Sequence, residues 1–144
     1  MKVVAAVLAA LLASGCVSSS RSDRDYELKA GNSAKAVASS VATAVLGAKA
    51  AAQGKATGNY LSVLLGAAEE DASSVQSTFD SVQPPSKTAD RLRAQVDDLL
   101  SAAVAGLSAM RITVRRSQLD RLPGLAEKLG PTLRELQQLA ARFA

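Results

Sequence analysis

An all-α fold is predicted for this chain: an antiparallel up-down bundle of about four helices, preceded by a signal peptide and a flexible tether. Three observations predict it. Alanine, the best helix former, supplies 29 of the 144 residues. Strand-forming residues are thin, and the only aromatics are Tyr26, Tyr60, Phe79 and Phe143. Four segments also repeat apolar residues with the 3,4 spacing of one helix face.

The first stripe is Ala34, Val37, Val41, Ala44, Ala48 and Ala51, with Gly54 as a C-terminal stop. The second is Leu61, Leu65, Ala68, Ala72, Val75, Phe79 and Val82. Thr57 or Asn59 is placed to cap its start, and Pro84-Pro85 closes it. Tyr60 and Phe79 fall near this stripe and are expected in the core. The third is Val96, Leu100, Ala103, Leu107, Met110 and Val114, capped by Ser86 or Thr88 and running to about Arg121. The fourth is Leu129, Leu133, Leu136, Ala140 and Phe143. Pro131 followed by the capping box Thr132-Leu133-Arg134-Glu135 predicts its start. Leu122 to Gly130 then reads as a short helix or an irregular corner. Each segment has one apolar and one polar side, so none is stable until the stripes meet. Gly47, Gly66 and Gly106 fall inside helices, at about 1 kcal/mol each relative to Ala unless close helix contact explains them.

The N-terminus has a different pattern. Met1-Lys2 is a short positive region, and Val3 to Leu12 is an apolar run far shorter than the roughly 20 residues of a membrane-spanning helix. Leu12-Ala13-Ser14-Gly15-Cys16 resembles a bacterial lipobox, with its Leu one place further from the Cys than is usual. The resemblance implies cleavage between Gly15 and Cys16, and a diacylglyceryl anchor on the Cys16 thiol. Two acyl chains give stable anchoring where one is marginal. It also gives the single Cys of an exported chain a purpose. The predicted divisions are therefore residues 1–15 as signal, 16–27 as lipidated Cys and polar tether, and 28–144 as bundle. The expected location is the cell membrane, facing the extracytoplasmic side, and the outer membrane where there are two, since Val17 lacks the Asp that favours inner-membrane retention. Asn59-Tyr60-Leu61 through Phe79-Asp80-Ser81-Val82-Gln83-Pro84-Pro85 is similar to stretches in small helical lipoproteins of GC-rich, single-membrane bacteria, which implies no activity.

The net charge is +4, and one unit leaves with Lys2. Residues 61–85 hold four acids and no base, whereas 86–122 are rich in bases. Arg111 and Arg115 share a helix face with Arg116 beside them, a candidate site for a phosphate or an acidic polymer. The competing expectation is a solvated face, or pairing with the acids of the second helix. Nucleic acid is not expected, because no aromatic platform accompanies the bases.

Catalytic signatures are weak. Without His there is no imidazole acid–base chemistry, His-based triad or His-ligated zinc. Gly47 to Thr57 has six residues between its glycines and Ala56 after Lys55, which departs from a phosphate loop. Glu69-Glu70-Asp71 diverge around a helix, so they read as an exposed acidic patch and not as a metal site. No catalytic residue, metal or cofactor is expected. The expected role is a lipid-anchored envelope protein that is structural or binds a protein partner. The alternative is a module holding an apolar or anionic envelope ligand, between helices or on the Arg111/Arg115/Arg116 face.

Overall fold

A computed structural model describes residues 19–144, so Gly15 and Cys16 lie outside the described residues. The chain forms the expected all-α bundle: α1 (Asp23–Ala52), α2 (Gly58–Asp80), α3 (Lys87–Arg115) and α4 (Leu122–Arg142), with a 3-10 turn at Leu119–Arg121. α1 packs against α2 and α4, and α3 against the same two, while α1 and α3 also meet across the diagonal. Neighbours are antiparallel. Passing along α2 from Glu69 to Gln76 moves back along α3, from Arg111 to Ser101, as the side-chain hydrogen bonds between them record.

The four stripes meet in one core. Leu61, Leu65, Val96, Leu100, Leu107, Met110, Leu136, Val37 and Val41 are fully buried. α1 contributes small residues to it, with Ala30, Ala34, Ala38, Ala44 and Ala48 all buried. A face this shallow lets three helices approach at once, which is how α3 reaches α1 across the bundle. Gly106 belongs to the same logic: a Cβ there would stand 2.8 Å from Cγ of Leu129, so α3 and α4 touch closely at this point. Gly47 is similarly closed off by Leu64, whereas Gly66 faces open space and has no packing role.

Four boundaries differ from the sequence expectation. The first helix starts at Asp23, inside the segment expected to be a tether. Ser22 caps it by accepting from the Asp25 N–H at 3.2 Å, and Tyr26 is completely buried. Before it, Ser20 is buried and its N–H donates to the Gln83 carbonyl at 3.4 Å. The polar composition of residues 17–25 concealed this, because a helix's first turn is polar in its own right. Second, α2 ends at Asp80, before Pro84-Pro85.

Third, α3 stops at Arg115, where Ser117 takes a left-handed φ of 57°. The Ser117 N–H donates to the Val114 carbonyl and the Gln118 N–H to that of Thr113, which closes the helix end. Gly54, with φ 67°, terminates α1 by the same pair of bonds, from Gly54 to Ala51 and from Lys55 to Ala50. Fourth, α4 runs unbroken from Leu122 through Pro131, and Pro123 occupies its first turn. Pro131 and Glu127 lie on the exposed face, so the carbonyl that loses its helical donor faces water. Leu122, Ala126 and Leu129 continue the stripe ahead of Pro131, and their burial outweighs the proline. Of the expected caps, Thr57 and Ser86 serve, each accepting from the backbone N–H three residues on.

The two mid-helix glycines predict opposite responses. Gly66→Ala is expected to raise stability by about 0.5–1 kcal/mol, because only backbone entropy and propensity change. Gly106→Ala is expected to lower it by about 1–3 kcal/mol, because Leu129 must move. Urea midpoints of the two variants check this, and a stabilised Gly106→Ala would contradict the close α3–α4 contact.

Candidate functional site

The three arginines proposed from the sequence separate in the fold. Arg111, on the part of α3 facing α2, is held by Glu69. Its Nε donates to Oε2 and its Nη2 to Oε1 at 3.3 Å. Both side chains are substantially covered, 27% and 19% exposed. Each group shifts the other's protonation. The Arg111 hydrogen bond lowers the Glu69 carboxyl below the usual glutamate value, and Glu69 raises Arg111. A guanidinium already occupied by a carboxylate is a strut between helices, so Arg111 does not belong to an anion site with its neighbours. This is the pairing with second-helix acids that the charge distribution allowed. Arg115, in the last turn of α3, and Arg116, at its C-cap, remain exposed.

Of the acidic run in α2, Glu69 turns to Arg111, while Glu70 and Asp71 are exposed. Asp71 borders a shallow groove of about 340 Å³ between α1 and α2, lined also by Thr43, Tyr60, Val63 and Ala67. Tyr60 is 59% exposed here, contrary to the core position expected for it. It sits in the first turn of α2, one residue before the buried stripe begins at Leu61.

The polar cluster that sequence reasoning missed lies at the opposite end of the bundle from Arg115. Tyr26 is wholly buried and stacks at a tilt on Phe79, ring centres 5.4 Å apart. Its hydroxyl has no hydrogen-bond partner, and burial pushes its pKa up to about 12. Arg93 faces this region from α3. It donates to the Asp80 carbonyl at 2.8 Å and stands 3.6 Å from the Asp97 carboxylate. One Asp97 oxygen is buried without a partner. Burial, and then the neighbouring Asp80 charge, raise the Asp97 carboxyl above the usual aspartate value. The signals for this cluster were present in the sequence. Ser22 and Asp25 fit a capped helix start, and steps of four lead back from Ala34 through Ala30 to Tyr26. Chemically the cluster is a brace in which one guanidinium joins a backbone carbonyl of α2 to a carboxylate of its own helix.

A further cleft of about 190 Å³ opens at this same end, between Asp23 and Glu27 of α1, Arg91 of α3, and Arg142 and Phe143. Arg142 is placed over the Phe143 ring, 5.0 Å from its centre. Among the described residues no group of three or more metal-ligating side chains converges.

The two shifted carboxylates predict opposite pH effects. Glu69 is lowered in the folded state, so its contribution is complete above the usual glutamate value and is lost as pH falls through the folded value. Glu69→Gln should therefore be less stable than the parent near neutral pH and converge with it in acid. Asp97 is raised, so its ionised form opposes folding once the pH exceeds its folded value, and the penalty vanishes below the usual aspartate value. Asp97→Asn should be more stable than the parent near neutral pH, and that advantage should shrink in acid. Urea denaturation of both variants across about pH 3 to 7 tests the signs.

Comparison of the chain with protein-family models, with curated proteins and with solved structures gives no match.

Proposed function

We propose that the protein is a lipid-anchored, extracytoplasmic envelope protein that acts as a structural or interaction module. The observation that carries this reading is Leu12-Ala13-Ser14-Gly15-Cys16 after a charged start and an apolar run. The fold sets how such an anchor would hold the bundle. From Cys16 to Ser19 there are three peptide steps, a reach of about 11 Å at most. Ser20 is already seated on Gln83, and the helix begins three residues later. A chain anchored at Cys16 thus carries a rigid body close to the bilayer, where the sequence had suggested a flexible tether over residues 16–27. Among the described residues no helix is long and apolar enough to cross a membrane.

Mass analysis of the membrane-extracted protein tests this. The expected product begins at Cys16 and carries a diacylglyceryl group. Cys16→Ser should leave the chain without lipid, either uncleaved or released. A wild-type chain with an unmodified Cys16 thiol, or cut at an earlier residue, would overturn the anchor.

A further inference from the structure

The bundle's charge is polarised along its axis. At the end remote from residue 19, the last turn of α1, the α1–α2 loop, the last turn of α3 and the α3–α4 turn come together. They bring Lys49, Lys55, Arg115, Arg116 and Arg121 against a single acid, Asp120, a local charge of +4. All five bases are exposed. The chain beyond the signal totals one unit less than the +4 of the whole, so this tip holds the entire positive surplus. At the other end the bases Arg21, Arg24, Lys29, Lys87, Arg91, Arg93 and Arg142 are interleaved with the acids Asp23, Asp25, Glu27, Asp80, Asp90 and Asp97, which leaves almost no net charge.

Local structure fixes the tip. Leu119 of the 3-10 turn packs against the core, and that turn contacts α1, which brings the α3–α4 connection beside the end of α1. Arg121 donates to the Gln118 side chain at 3.0 Å and so stays within the turn. Arg111 is excluded because Glu69 occupies it. Lys49 and Arg115 also lie where a helix C-terminus favours cations. Lys55 and Arg121 lie outside the α-helices, in the loop and the 3-10 turn, so the helix ends alone do not account for the cluster.

We propose that this tip binds a long anionic polymer through Lys55, Arg115, Arg116 and Arg121. The fit is one of charge and shape. Exposed bases spread over two adjacent turns suit repeated phosphate or carboxylate groups along a strand better than one small anion. α3 has 29 residues and spans about 40 Å at 1.5 Å per residue, so the tip stands that far from the end that carries residue 19. On the anchored reading, and with the bundle upright on Cys16, the tip lies beyond the screened field of the anchoring membrane's own headgroups, which decays over about 8–10 Å at physiological salt. In that posture the occupant is a polymer lying above the membrane, whereas binding to vesicles would mark a tip that rests on the headgroups.

Retention of the full chain, extracted in neutral detergent, on immobilised long-chain polyphosphate and on phosphatidylglycerol vesicles tests the proposal. The parent should bind polyphosphate at low salt and elute as salt rises. A variant with Lys55→Gln, Arg115→Gln, Arg116→Gln and Arg121→Gln should bind roughly tenfold or more weakly with an unchanged melting temperature, because exposed charges add little to folding. A control with Lys35→Gln, Lys87→Gln, Arg91→Gln and Arg134→Gln loses the same charge elsewhere and should bind within about twofold of the parent. Equal loss in both variants would reduce the effect to net charge and overturn the proposal. So would binding to vesicles alone, or no binding by the parent. A chain that binds through its tip while carrying an unmodified Cys16 would keep the polymer site and discard the anchor, so the two failures are distinguishable.

Discussion

The closeness with which α1 admits its three neighbours governs this bundle. A helix presenting leucines would hold α2, α3 and α4 apart, and the diagonal α1–α3 contact would be lost. Ala30, Ala34, Ala44 and Ala48 remove that bulk, and the larger residues on the facing helices fill the space. Leu61 and Leu65 come from α2, Leu100, Leu107 and Met110 from α3, and Leu136 from α4. The division between a thin helix and the thicker ones that face it explains why an alanine-rich chain still builds a dense core. Packing density demands that shallow and deep faces be matched, and here they are matched helix by helix.

Polar contacts act mainly on the arrangement of the helices. Arg111 and Glu69 join α3 to α2 at one level, and Gln76 and Ser101 join them again further along. Arg93 ties α3 to the last residue of α2 at the end that holds Tyr26. A leucine stripe alone tolerates sliding by a helical turn, whereas these fixed pairs penalise it. Asp97 and the Tyr26 hydroxyl are the costly members, with buried oxygens that no donor or acceptor meets.

The bundle class and most of its core were legible in the sequence, because a 3,4 spacing of apolar residues has few other physical meanings; Tyr26, Ala30, Leu122, Ala126 and Leu139 are the main core residues that lay outside the stripes. Thr57 and Ser86 were legible as caps for the same reason: few residue types can satisfy the first N–H groups of a helix. What escaped was governed by context. Pro131 has the chemistry of a helix start, yet it lies on a water-facing side where its missing N–H costs little, and the buried stripe runs past it. Ser117 adopts a backbone conformation that glycine usually supplies, so no glycine marked the end of α3. Of the candidate anion site, Arg115 and Arg116 are exposed, whereas Arg111 follows the competing expectation of pairing with an acid of the second helix. Its partner lies 42 residues away in sequence, and only the packing of α2 on α3 brings the two together.

The way the chain enters the bundle also sets how it responds to force. Tension applied at residue 19 first reaches Ser20, which is held by its N–H on the Gln83 carbonyl and by the Lys29 ammonium on its hydroxyl. Behind it stands α1, capped by Ser22 and pinned by the buried Tyr26 ring. A pull along the bundle axis would have to drag α1 lengthwise past three helices at once, loading many side-chain contacts together. A sideways pull would peel them apart one turn at a time. Were the chain anchored at Cys16 and its far tip bound, as proposed, the load would run along the axis, the direction in which the bundle resists most.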